Sequence, residues 1–252
     1  MVEGLEIMTI THLLLDIEGT TCPVSFVSEV LFPYARQSLS SFLTEHRNDI
    51  NLAHLLESAE QEWDADSSSD SINLRKRTKD AGLTPTNAIR MYFEHLIDIV
   101  SKSTALKDLQ GRIWKNGYER GEITSQLFNE TTESLRRWNS KKLSLSVYSS
   151  GSIQAQKLLY SHTEGGDLEH LFDHWFDTHT GSKKEVESYR RIAKEINSKS
   201  SNILFISDNG DECDAAKASG MQTLFSLRDG NPDQNPRGHR VIKSLNDVDA
   251  HL

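Results

Sequence analysis

Cysteine is nearly absent: Cys22 and Cys213 are the only two in 252 residues. Two cysteines in this length argue against a disulfide framework and for a reducing compartment. Neither belongs to a C-x-x-C pair, which argues against structural zinc. Positive charge is also short, with Lys and Arg totalling 28 against 37 Asp and Glu, a net charge of -9. A protein that tracks nucleic-acid phosphates needs clustered cations, so that class is set aside. The deficit does not exclude a small anionic substrate, because a metal and one local lysine reverse the field inside a single cleft. No apolar run approaches the length of a membrane-spanning helix. The opening residues MVEGLEIMTITH lack the basic start and apolar core of a secretory signal. The expectation is a cytoplasmic protein, with nuclear entry left open for a chain of this size, and with neither nucleic-acid nor membrane partners.

Hydrophobic residues make up 36% and charged residues 26%, the balance of a globular chain with a real core. The length has room for one large domain, or a core domain with a smaller insert. No internal repeat is found.

The most informative stretch is LLLDIEGTT, Leu13 to Thr21. Three leucines read as a strand buried on both faces of a parallel sheet. The run then stops at Asp16-Ile17-Glu18, and Gly19-Thr20-Thr21 turns away. Strand residues two apart share a face, so Asp16 and Glu18 emerge together. The carboxyl end of a strand is where open α/β sheets place their sites. Alone, the motif is also accounted for by a strand ending in a polar turn.

Residues 8–15 read as the first core strand. Past Cys22 the texture becomes helical: Val24, Phe26, Val27, Val30, Leu31, Tyr34, Leu39 and Phe42 recur at three- and four-residue steps, with a break expected at Pro33. Further helical patterns cover about 52–63, 87–100, 106–118 and 126–138, and Thr84-Pro85-Thr86 supplies a helix start. Ser67-Ser68-Ser69-Asp70-Ser71 reads as a loop between them. The region 22–141 lacks a strand and is assigned as a helical cap domain. Strand character returns at 143–148, 174–177, 202–208, 222–226 and 241–242, alternating with helices at 153 onward, 187–197 and 211–219. Alternation of this kind implies a parallel, doubly wound sheet, so 1–21 and 142–252 are assigned to an α/β core domain.

Three apolar runs in the core end in polar groups: Asp16 and Glu18, Ser149 and Ser150, and Asp208. Lys183 stands in a glycine-containing loop between the last two. If the strands are neighbours, these groups converge at one sheet edge. A carboxylate nucleophile splits displacement at phosphorus into two easier steps. A second carboxylate can protonate the leaving oxygen and later activate water. Acids from separate strands suit a hard Mg²⁺ ion, and hydroxyls with backbone N–H groups before a helix suit phosphate oxygens. Each residue also has an ordinary reading: Ser149 and Ser150 as turn and helix cap, Lys183 as a solvated lysine, Asp208 as a helix-start acid. The joint order D-x-E-G-T, strand-S-S-G, G-x-K, strand-S-D favours chemistry.

At these residues the sequence resembles the haloacid dehalogenase-like phosphohydrolases, over nearly the whole chain and with a helical cap inserted after the first motif. That resemblance implies a Rossmann-like core with Asp16 as nucleophile. The superfamily's usual residue two positions on is Asp, whereas this chain has Glu18. DIEGTT, with PVSFVSEVLFPYA, LQGRIW, VYSSGSIQAQKLL and SYRRIA, looks like the enolase-phosphatase family of methionine salvage, and this likeness extends into the cap. It implies enolisation and then dephosphorylation of 2,3-diketo-5-methylthiopentyl-1-phosphate. Carried over by position, Asp16, Glu18 and Asp208 hold one Mg²⁺ per subunit, Ser149, Ser150 and Lys183 bind the phosphate, and Asp16, Glu18 and Lys183 are catalytic. Glu18 is the candidate for proton transfer, its extra methylene giving reach to a carbon-bound proton.

The stretch after Asp208, Asn209-Gly210-Asp211-Glu212-Cys213-Asp214, is more acidic than the superfamily pattern. Glu212, one helical turn on, is a candidate to orient the metal or Lys183, with Asp211 and Asp214 facing solvent. Phe93, Trp114, Tyr118 and Trp138 read chiefly as cap core, one or two of them open to a role beside an apolar substrate tail. Phe26 or Phe32 could line the pocket. A phosphatase for another small ester, a phosphomutase, a dehalogenase and a non-catalytic binding protein rank below. Glu18 and the cap motifs disfavour the first, and retention of Asp16, Lys183 and Asp208 disfavours the last. No heptad or edge signal supports a dimer, so a monomer is expected.

Overall fold

The computed structural model describes residues 9–252, and the chain divides into two compact units. One runs to Val27 and resumes at Thr124–Leu252; the other is Ser28–Ile123.

The second unit is helical: α1 (Phe32–Glu45), α2 (Ile50–Ala65), α3 (Ser69–Asp80), α4 (Pro85–Asp98) and α5 (Thr104–Glu119). Side chains at the starts explain several boundaries. Asp49 accepts from Asn51 N–H at 2.8 Å ahead of α2, Thr84 accepts from Asn87 N–H ahead of α4, and Ser103 accepts from Leu106 N–H at 3.0 Å ahead of α5. The core draws Leu39 and Phe42 from α1, Leu55 and Trp63 from α2, Tyr92 and Phe93 from α4, and Leu109 and Ile113 from α5. Trp63 and Tyr92 stack at 4.6 Å. Phe93 and Tyr118 are buried as expected, while Trp114 is half-buried and donates its indole N–H to Leu31 O at 2.8 Å.

Two local expectations change. Ser67–Ser71 is not a loop throughout, because Ser68 caps α3, accepting from Ser71 N–H. This helix escapes a hydrophobic-period reading because its inner face is small and polar: Ser71, Leu74 and Thr78. Pro33 does not break a helix either. Residues Phe26–Leu31 form a π-helical stretch, and Pro33 lies in the first turn of α1, where a missing N–H costs nothing.

The other unit holds a six-stranded parallel sheet of β1 (His12–Leu15), β2 (Ser144–Tyr148), β3 (His174–Phe176), β4 (Ile203–Ser207), β5 (Gln222–Ser226) and β6 (Arg240–Ile242), in the order β3-β2-β1-β4-β5-β6. The first strand was expected to start at Met8, which lies outside the described residues; within them it starts at His12. β1 is central, with Leu13, Leu14 and Leu15 fully buried, and each contributes about 1.5–3 kcal/mol by burial. The helices of this unit are α6 (Thr131–Ser140), α7 (Ile153–Ser161), α8 (Val186–Glu195) and α9 (Gly210–Ala218). Tyr189 and Ile192 of α8 and Cys213 and Ala216 of α9 share one buried cluster with Leu14, Tyr148, Phe205 and Phe225. Cys22 and Cys213 are buried free thiols.

The helical unit is shorter at both ends than the 22–141 insert read from sequence. Helix α6 packs against β2, and Trp138, fully buried, donates its indole N–H to Asp249 at 3.0 Å, so this tryptophan serves the sheet unit. The pattern read as helix from 126 becomes α6 only at Thr131. Ahead of it the chain is irregular, and Phe128 N–H is given to Thr21 O at 3.1 Å. No described helix is long and apolar enough to cross a membrane.

Candidate active site

The chain leaves β1 for β2 and β3 on one side, then returns to β4 on the other, so strand order reverses between β1 and β4. Ligand crevices form outside the carboxyl ends of strands at such a point. Leu15 lies level with Val147 and Ile206, so Asp16 follows level with Tyr148 of β2 and Ser207 of β4. Its own N–H donates to Ile206 O at 2.9 Å, which extends the ladder one residue and fixes the start of the side chain.

The Asp16 carboxylate is buried and held on both oxygens. Oδ1 accepts from Lys183 Nζ at 2.6 Å and from Ile17 N–H at 2.8 Å; Oδ2 accepts from Ser207 Oγ at 3.1 Å. Lys183 reaches in from the loop after β3. Tyr148 donates to Gly181 O at 2.9 Å and Tyr189 to Lys183 O at 2.6 Å, so two buried tyrosines pin the backbone on either side of that residue. The ammonium also pairs with Glu212 Oε2 at 2.7 Å, the residue expected one turn beyond Asp208. Ser207, not singled out by the sequence, stands between two acids, 3.1 Å from Asp16 and 2.8 Å from Glu212. Its single hydroxyl proton can serve only one of them at a time.

After Asp16 the chain turns sharply. Ile17 O accepts N–H groups from Thr20, Thr21 and Cys22, and Gly19 adopts φ +69°. A Cβ at Gly19 would overlap the Asp208 carboxylate and the Asn231 amide, so glycine is needed for space as well as for backbone sign. Glu18 sits at this turn, half-buried. Asn209, the residue after Asp208, caps α9, accepting from Asp211 N–H at 3.0 Å and Glu212 N–H at 3.3 Å, which sets Glu212 on the first turn.

Four acids share this edge with one lysine. Burial pushes the Glu18 carboxyl up to about 7, with repulsion from Asp16 adding and Lys183 opposing. Burial pushes Asp208 up to about 8, again with Asp16 adding. Glu212 is raised for the same reasons. Burial alone would lower the Lys183 ammonium, but Asp16 and Glu212 reverse this and hold it above the ordinary lysine range.

The serine loop lies on the adjoining strand. Ser149 follows Tyr148 of β2, is buried, and donates its N–H to Phe176 O at 3.2 Å; Ser150 is exposed. Gly151 N–H turns back to Ser149 Oγ at 3.3 Å, and Ser152 caps α7. Gln156 of α7, missed by the sequence reading, donates to Gly151 O at 2.8 Å and Phe176 O at 2.9 Å, tying the loop to β3. The structure therefore brings Asp16, Lys183, Glu212 and Ser207 into direct contact. Asp208 and Glu18 adjoin them through the Gly19 turn and the shared field, and Ser149 and Ser150 stand at the next strand end.

Among the described residues no three His, Cys, Asp or Glu side chains already close into a metal-holding group. The donor chemistry nevertheless fits a hard divalent cation: carboxylate oxygens from two strand ends, an excess of buried negative charge, and a glycine that leaves room beside Asp208. Asp211 and Asp214 face solvent, as expected, and are ion-paired there. Asp211 pairs with Lys184 and Arg237, and Asp214 with Arg237 and the ring of His239, so cations from outside α9 balance its acidic start.

Residues 10–220 match the model of the haloacid dehalogenase-like hydrolases. The chain is 71% identical over 245 residues to Enolase-phosphatase E1 of Parasynechococcus marenigrum (strain WH8102), covering 97% of this chain and 100% of that one. It is 54% identical over 241 residues to Enolase-phosphatase E1 of Synechococcus sp. (strain CC9605), covering 96% and 97%. Among solved structures, the UTR4 protein of Saccharomyces cerevisiae superposes with a TM-score of 0.75 at 31% identity, over 94% of this chain and 98% of that one. CbbY of Rhodobacter sphaeroides, in complex with phosphate, shares the fold at a TM-score of 0.56 and 16% identity, over 95% and 96%.

Proposed function

The chain belongs to the enolase-phosphatase E1 family of haloacid dehalogenase-like hydrolases, and from that membership we propose that it enolises 2,3-diketo-5-methylthiopentyl-1-phosphate and then removes its phosphate. The product is the acireductone 1,2-dihydroxy-3-keto-5-methylthiopentene, a step of methionine salvage in the cytoplasm. The observation that carries this reading is the Asp16 carboxylate at the end of the central strand, buried and held at 2.6 Å by Lys183.

Mg²⁺ bound by Asp16, Glu18 and Asp208 would neutralise phosphoryl charge and let one anion approach another. Glu18 takes the carbon-bound proton and returns it to the neighbouring carbonyl oxygen, which becomes the enol hydroxyl. Water then reprotonates Glu18 for the second step, and that proton goes back to solvent after phosphate leaves. A carboxylate at this turn, reaching one methylene further than Asp, can both accept and return a proton. Asp16 then attacks phosphorus, and the P–O bond to the substrate breaks as Glu18 protonates the leaving oxygen. Water, giving its proton to Glu18, hydrolyses the aspartyl-phosphate. Lys183 holds Asp16 in line and accompanies the phosphoryl charge, and Ser149 and Ser150 with the N–H groups before α7 take phosphate oxygens.

A coupled assay on this ester tests the reading, following enol absorbance and released phosphate together with and without Mg²⁺. Enol before phosphate, with phosphate release abolished in Asp16→Asn, is the expected result. Release of phosphate from simple sugar phosphates without any enol from this substrate would overturn the enolase half. A Glu18→Gln protein that performs both steps at the normal rate would remove Glu18 from the mechanism.

A further inference from the structure

The turn that carries Glu18 is strapped from outside along three successive carbonyls. Gly19 O accepts from Ser226 Oγ at 2.9 Å and Asn231 Nδ2 at 3.0 Å. Thr20 O accepts from Arg228 Nη2 at 3.2 Å. Thr21 O accepts from Phe128 N–H at 3.1 Å and Thr131 Oγ1 at 2.9 Å. The donors come from two separate segments, the end of β5 with its following loop and the lead into α6. One ion pair joins those segments: Arg228 to Glu130 at 2.8 Å, with side chains only 9% and 16% exposed. The guanidinium lies 3.8 Å over the Phe128 ring and donates through Nε to Ser226 Oγ at 3.3 Å, while Glu130 also accepts Leu245 N–H at 3.1 Å.

A buried ion pair is a poor source of stability, because apolar residues of the same volume do as well or better. Its worth lies in geometry, since a guanidinium fork fixes the direction of each partner. Here the partners are the two straps and the Thr20 carbonyl, two residues from Glu18. Asp16 is placed chiefly by the sheet ladder and Lys183, and the strapped turn meets it only through Ile17 N–H at 2.8 Å and Thr21 Oγ1 at 3.4 Å.

Resting on the proposed roles of Asp16 and Glu18, we propose that Arg228, with Glu130, is a positioning residue that holds the Gly19–Thr21 turn so that Glu18 meets its proton, while Asp16, placed chiefly by the sheet ladder and Lys183, still attacks at a near-normal rate. The two steps separate on p-nitrophenyl phosphate. Asp16 attack breaks the P–O bond and the nitrophenolate leaves as the anion, needing no proton from Glu18. Water must then attack phosphorus while yielding its proton to Glu18, freeing phosphate and the Asp16 carboxylate.

The test is stopped-flow kinetics of the full chain with Mg²⁺ on this ester, comparing wild type, Arg228→Lys, the charge-free pair Arg228→Met with Glu130→Gln, and Asp16→Asn. The expected result for Arg228→Lys and for the pair is a burst of one nitrophenolate per enzyme at a rate within about threefold of wild type. A steady rate lower by about tenfold or more follows it. The pair strands no charge, so it keeps the test open if Arg228→Lys folds poorly. Burst and steady rates that fall together, or that both stay unchanged in the Arg228 variants, overturn the proposal. An Asp16→Asn enzyme that keeps the burst overturns the covalent reading on which the proposal rests, and the proposal with it.

Discussion

Removing the metal should leave a protein whose stability falls as pH rises, and Asp208 is the residue through which to measure it. Its carboxyl is raised from 3.8 to about 8, by burial first and by Asp16 next. A folded value above the unfolded one means that the folded state keeps a proton the unfolded state has released. The associated stability is complete below about pH 4 and is lost progressively up to about pH 8, at up to about 1.4 kcal/mol per pH unit. Between about pH 5 and pH 8 the ceiling is about 4 kcal/mol. Water entry and relaxation of the emptied site take up part of this, so about 2 kcal/mol is the least the geometry requires. Asp208→Asn never ionises, so the difference from wild type reports this carboxyl together with its pull on Asp16, Lys183, Glu212 and Glu18. In urea unfolding with EDTA, the variant should gain about 2–4 kcal/mol on wild type between about pH 5 and pH 8, and added Mg²⁺ should erase the gain by stabilising wild type alone. A gap that stays constant with pH, or one in which wild type gains instead, would refute the reasoning.

Lys183→Met strands Asp16 and Glu212 in a buried site and should cost about 3–5 kcal/mol in chemical denaturation, with loss of phosphatase activity. Adding Glu212→Gln should restore part of that stability and none of the activity, a non-additivity that a double-mutant cycle reads directly. Gly19→Ala should lose at least about 2 kcal/mol, from positive φ and from overlap with Asp208 and Asn231, and thermal melting with an activity assay checks both. Gln156→Met removes two donors that tie the serine loop to β3, at about 1 kcal/mol each. Steady-state kinetics should show KM for the phosphate ester raised about tenfold with kcat less affected, the mark of weakened phosphate binding.

The sheet was legible because each strand ends where an apolar run meets a polar residue. Asp16, Ser149 and Asp208 could therefore be placed at strand ends before any register was known, and the ladder put Asp16 level with Ser207. Lys183 was legible from its place in a loop between two such ends. Partners made across long sequence separations were not. Nothing local distinguishes Ser207, whose hydroxyl finds Asp16 191 residues away. The same holds for Arg228, whose importance lies in a carbonyl 208 residues earlier. Helix α3 escaped because periodicity registers large apolar side chains and its buried face is mostly Ser71 and Thr78. Trp138 was assigned to the wrong unit because an amphipathic helix does not say which core it faces, a choice made by Asp249 near the end of the chain. Asp211 and Asp214 do face solvent as read, but their cation Arg237 could not be named, because it arrives from a distant loop.

The central claim is that Asp16 becomes covalently phosphorylated, and trapping that species tests it most directly. The full-length enzyme with Mg²⁺ would be mixed with its phosphate ester, quenched in acid within one turnover, digested and weighed by mass spectrometry. The account predicts the added mass of one phosphoryl group on the peptide that contains Asp16, labile to hydroxylamine and absent from Asp16→Asn. A phosphoryl group on any other residue, or full turnover by Asp16→Asn, would contradict it.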